Sequence, residues 1–118
     1  MKLEDFILLI KSSEVNAHMY HWSTDSFAAH KALEGYYEAI RSLIDEFVEV
    51  AQGKFDLKFK IQGEISVSDK DPIDYFYQLK EVITQFIKYK LSDYSDLENI
   101  AAGILEEINK LNYLLKLK

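Results

Sequence analysis

Four side chains able to bind a metal recur along one stretch of this 118-residue chain: His30, Glu34, Asp45 and Glu49. They form two pairs, His30 with Glu34 and Asp45 with Glu49, each spaced i, i+4. On a helix that spacing lets both members reach one ion. An imidazole beside carboxylates suits iron, manganese or zinc. With His30 at zero and about 100° per residue, Glu34, Asp45 and Glu49 fall at about 40°, 60° and 100°. Glu38 and Arg41 share this stripe, and Arg41, four residues before Asp45, is a candidate to pair with it.

A stripe of charges on a helix is most often just a solvated face. Here Glu34 with Glu38, and Asp45 with Glu49, are like-charged neighbours at i, i+4, which destabilises a helix. A bound cation offsets such crowding. Helix rise decides how the pairs can serve a site. Glu34 and Asp45 stand about 16 Å apart along the axis, too far for one mononuclear or dinuclear centre. Two copies of the helix, antiparallel about a two-fold axis near Ala39 and Ile40, would set His30 and Glu34 of one against Asp45 and Glu49 of the other. Symmetry would then give two equal sites per dimer. His21 ends the preceding segment and could fold over beside His30; His18, one turn earlier, could pair with His21 instead. Histidine ligands must be neutral to bind, so metal affinity should fall in acid.

These residues need long helices to hold them, and the chain supplies the patterns. One Pro, four Gly, 48% hydrophobic and 29% charged residues describe a single globular domain. Leu3, Phe6, Ile7, Ile10 and Ala17 predict a first helix from about Leu3 to Trp22. Ser23–Ser26 is a turn and N-cap cluster. The second helix, about Phe27 to Gln52, carries its apolar stripe on Leu33, Tyr36, Tyr37, Ile40, Leu43, Ile44, Phe47 and Ala51, with Gly53 as its C-terminal cap. From Phe55 to Val67 the period changes to alternation, the signature of an extended loop or a small hairpin. Asp71-Pro72 opens a third helix to about Lys90. Ser95-Asp96-Leu97-Glu98 reads as a capping box opening a fourth, with Leu97, Ala101, Ile104, Ile108, Leu111 and Leu115 on one face. The expected fold is all-α: a four-helix bundle with a long crossover between its second and third helices, as in ferritin-like topology.

The net charge of −6 and the lack of a basic tail argue against nucleic acid as a partner. There is no cysteine, hence no thiolate site or disulfide. No apolar run reaches membrane-spanning length. Acids follow Met1-Lys2-Leu3, where a signal peptide would be basic, so the expected location is the cytoplasm.

The run His21-Trp22, then His30, Glu34, Asp45 and Glu49, resembles the signature of the Dps-type mini-ferritins within the ferritin-like family. His30–Gly35 and Ser42–Glu49 both look like that family's second helix, and Ser92–Asp96 is similar to the acidic turn before its last helix. The resemblance implies metal ligands at His21, His30, Glu34, Asp45 and Glu49, with Trp22 beside the metal. It implies a ferroxidase that oxidises Fe(II) with peroxide or oxygen, for iron storage and protection from oxidative stress. It also implies self-assembly, as a two-fold dimer and a twelve-subunit shell. Glu34 stands where the family more often has Asp. The family's basic N-terminal extension is missing, so DNA binding is not carried over. The alternative is a dimeric metal-binding or structural protein of the same fold without turnover, holding iron, zinc or manganese.

Overall fold

The computed structural model describes residues 1–117. It is all-helical: α1 (Leu3–Ser23), α2 (Phe27–Phe55), α3 (Pro72–Phe86) and α4 (Ser95–Leu115), with a π-helical turn, Ile87–Leu91, continuing α3. The apolar stripes read from the sequence form the core. Phe6, Ile10, Leu33, Ile40, Phe47, Ile83, Ile104 and Ile108 are completely buried. Phe6 is central: its ring stacks on Phe86 at 4.2 Å and tilts against Phe47 at 5.1 Å, tying α1 to α3 and α2.

α1 packs on α2, α2 on α4, α4 on α3 and α3 on α1, so α2 and α3 are diagonal partners. Contacts at the ends set the directions. Phe55 closing α2 meets Tyr94 just before α4, and Lys54 pairs with Asp96. Tyr20, late in α1, meets Tyr75 early in α3. The chain therefore leaves α2 at one end of the bundle and starts α3 at the other. Residues 56–71 make that passage, and about 16 residues at roughly 3.3 Å each suffice for a bundle of this length. The long crossover expected from the sequence is present.

The hairpin is not. No strand occurs among the described residues, and of the alternating apolar side chains Phe59 is half-buried while Leu57, Ile61, Ile65 and Val67 are exposed. The extended chain pairs with side chains instead of with a second strand. Gln52 accepts from the Phe59 amide at 2.9 Å. Buried Asn16 of α1 donates to the Ser66 carbonyl and accepts from the Ser68 amide, both at 2.7 Å. Tyr20 donates to the Lys70 carbonyl at 2.8 Å. One amide side chain thus does what a strand edge would do. Gly63 sits at φ 126°, and a Cβ there would lie 2.8 Å from Leu8 Cδ2, so the crossover lies hard against α1 at that point.

Three helix ends differ from the sequence reading. α2 runs past Gly53 to Phe55 and ends on Asp56, whose φ of 51° supplies the left-handed cap. Asx side chains tolerate that region, so Gly was not required. α3 becomes π-helical before Lys90, which turns Leu91 inward to full burial. The capping box at Ser95 does not form: Tyr94 is the N-cap, without a side-chain bond, and Asp96 accepts the Leu97 amide at 2.9 Å. The other two starts hold, with Ser26 accepting from Ala29 and Asp71 from Ile73. No helix among the described residues is long and apolar enough to cross a membrane.

Candidate metal centre

His21 sits one heptad beyond Glu14 and two beyond Ile7, on the inward face of α1, and is buried. The short turn after Ser23 brings α2 back directly beside it. His21 Nδ1 lies 2.7 Å from the carbonyl oxygen of His30, and His30 Nδ1 lies 2.8 Å from that of His21. The rings stack, with centroids 3.6 Å apart and planes 19° from parallel. A carbonyl oxygen only accepts, so both Nδ1 atoms carry the proton. In the neutral rings both Nε2 atoms then keep a lone pair. Orientation of a ligating imidazole by a carbonyl on its other nitrogen is a recurrent feature of metal sites.

Around this pair the surface is aromatic. Trp22 and Phe27 are 67% and 74% exposed. His18 does not pair with His21. Its ring stacks on Tyr37 at 4.3 Å and leans on Trp22 at 4.4 Å, with His21 farther away at 6.0 Å.

Glu34 stands one turn beyond His30, partly exposed, with Lys31 Nζ at 3.3 Å from its carboxylate. Asp45 and Glu49 are exposed farther along α2 and hold no ion pair among the described residues. Within one chain the fold brings together His21 and His30, with Glu34 one turn on. It does not bring Asp45 and Glu49 to them, as helix rise required. No group of three or more His, Asp or Glu side chains is placed to hold a metal ion among the described residues of a single chain.

Arg41 corrects the sequence reading. It pairs with Glu14 of α1, Nε to Oε1 at 2.9 Å, and not with Asp45. Glu14 is buried and also takes Lys11 Nζ at 2.6 Å. Burial pushes its carboxyl up, but the hydrogen bonds and charges of Lys11 and Arg41 outweigh that and hold it below its ordinary value. The signal for Glu14 was present in the sequence: it lies four residues after Ile10 and three before Ala17, on the core face of α1. Its neighbours Ser12, Ser13 and Asn16 on that helix are also buried and polar. Ser13 bonds the Tyr36 hydroxyl at 2.8 Å, and burial drives the Tyr36 phenol far up. Asn16 reaches the Tyr75 hydroxyl at 3.2 Å, and burial lifts Tyr75 to about 12.

A model of a family of unknown function, DUF5856, matches residues 21–115. The chain belongs to that family. The match opens at His21 and spans all of α2, so His21, His30, Glu34, Asp45 and Glu49 all fall inside it. Comparisons with curated proteins and with solved structures returned no match.

Proposed function

We propose that this DUF5856 member is a Dps-like, iron-binding bundle that oxidises Fe(II) with peroxide or oxygen at a di-metal site shared between two copies of the chain. The observation that carries the reading is the reciprocal His21–His30 pair, which leaves two Nε2 lone pairs, with Glu34 one helical turn after His30 on the exposed stripe of α2. His21, His30 and Glu34 of one chain, with Asp45 and Glu49 of a second, would hold the iron. This donor set of imidazole nitrogen and carboxylate oxygen fits Fe(II) and still fits the harder Fe(III) produced. Two Fe(II) supply the two electrons that one peroxide takes up. Clustered carboxylates lower the repulsion between the cations, and Trp22 stands next to the site. The ferric product would be stored within an assembly of copies, up to a twelve-subunit shell, in the cytoplasm, giving protection against iron and peroxide together.

The test is anaerobic addition of Fe(II) followed by peroxide, comparing the natural chain with Asp45→Ala/Glu49→Ala. The natural chain should oxidise iron well above the protein-free rate, and the variant should fall back to it. Equal rates in both would sink the ferroxidase reading. Native mass of the iron-loaded protein reads assembly and metal content at once.

One observation favours a second reading. Lys31 sits 3.3 Å from one oxygen of Glu34 and offsets part of its charge, which weakens the pull of that carboxylate on a cation. In this reading the dimer holds zinc, iron or manganese stoichiometrically without turnover, and native mass would show bound metal but no mineral.

A further inference from the structure

The α2 stripe holds a third matched pair of positions. His30 and Glu49 lie at equal distances on either side of the midpoint between Ala39 and Ile40. So do Glu34 and Asp45, and so do Glu38 and Arg41. An antiparallel two-fold pairing through that midpoint sets each residue opposite its match in the other copy. The first two matches gather candidate ligands. The third sets a cation opposite an anion, twice per dimer. On the helical wheel Glu38 and Arg41 fall at about 80° and 20°, inside the ligand stripe.

The side chains are arranged for that contact. Arg41 spends only Nε on Glu14; its side chain is 59% exposed, and its terminal nitrogens make no hydrogen bond among the described residues. A guanidinium carries five donors in a rigid fork, so two NH₂ groups remain for a second carboxylate. Glu38 is exposed and makes no ion pair among the described residues, although Arg41 is only three positions away. Apolar surface accompanies the charges: Phe27, 74% exposed, falls on the same stripe at about 60°. The face therefore has complementary charge about its own centre, which suits a second copy of itself better than an unlike partner.

We infer that two copies of this chain pair antiparallel through α2, with Arg41 of each copy, held by its own buried Glu14, forking onto Glu38 of the other. This rests on the reading that two copies of α2 face one another, and it does not need bound metal. Glu14 is a positioning residue: it fixes the guanidinium before the copies meet and reduces the ordering that docking demands. The same register would bring Asp45 and Glu49 of one copy to His30 and Glu34 of the other.

Sedimentation equilibrium of the full chain at low salt, with EDTA and with Zn²⁺ in excess of EDTA, tests this. Glu38→Arg sets arginine against arginine at both contacts and should raise the dimer Kd at least about tenfold. Unchanged circular dichroism should show that the variant is folded. The triple variant Glu14→Gln/Glu38→Arg/Arg41→Glu reverses the pair and should recover most of that loss relative to Glu14→Gln alone. Glu14→Gln should weaken the dimer when Glu38 is present, and should do so far less in a Glu38→Gln background; equal weakening in both would mean a merely structural role. A monomer in both buffers, or a dimer indifferent to Glu38→Arg, overturns the register. Zn²⁺ binding that persists in that case leaves the metal site standing. A dimer with the expected charge signature that binds no Zn²⁺ supports the register and removes the metal site.

Discussion

His21 and His30 bind each other's backbone carbonyls through Nδ1, at 2.7 and 2.8 Å, across the turn that joins α1 to α2. Each ring therefore secures the segment that carries the other. Loss of the His30 ring strips the His21 carbonyl, in the last turn of α1, of its partner, and loss of the His21 ring takes a second bond from the His30 carbonyl and empties a buried place, each at a cost of about 1–3 kcal/mol. His21→Ala and His30→Ala should each lower stability by about that much. Because the two bonds share one geometry, the double variant should lose less than the sum of the singles. Urea unfolding of the four proteins measures this; strict additivity would mean that the two rings act independently.

The buried carboxylate of Glu14 makes stability depend on pH. Lys11 and Arg41 hold its pKa in the fold below the ordinary 4.5, against the upward push of burial. The unfolded chain then binds the proton more readily, so stabilisation is present above about pH 4.5 and is lost as pH falls through the lower folded value. Glu14→Gln should be less stable than the natural chain at neutral pH, and the gap should narrow in acid. Denaturant midpoints at pH 7 and below pH 4.5 check it; a gap independent of pH would place the stabilisation elsewhere.

Gly63 should resist replacement. Its φ of 126° is unfavourable for any L side chain, and a Cβ would meet Leu8 at 2.8 Å. Gly63→Ala should cost more than about 1 kcal/mol, and Leu8→Ala should return only the steric part. Amide exchange at Ser68 reports the local effect, since that N–H is held by Asn16. Unchanged protection there would mean that Gly63 does not control how the crossover sits.

The helices and core were largely legible because their signals are local. Period 3.6 marked Leu33 through Ala51, and Asp71-Pro72 announced α3. Helix rise alone separated Asp45 and Glu49 from His30, and the folded chain keeps them apart. What escaped depended on long-range partners. The alternation from Phe55 to Val67 left an extended loop and a small hairpin open, and the structure has the loop, because the crossover's backbone bonds go to Asn16, far back in the chain. Arg41 had a nearby acid on its own helix and took Glu14 on another, because a buried carboxylate needs a cation more than an exposed one does. The His21–His30 reciprocity depends on how a short turn closes, which residue spacing does not reveal.

The crossover also bears on synthesis. Asn16 is buried in α1, and apart from the Ser12 carbonyl its carboxamide partners, Ser66, Ser68 and Tyr75, lie beyond α2. A nascent chain that has emerged only as far as Phe55 already contains His21, His30, Glu34, Asp45 and Glu49. It still lacks the segment that covers α1 and the two helices that complete the core. The surface that would handle iron is thus encoded in the first half of the chain, but its scaffold matures only after the second half has been translated.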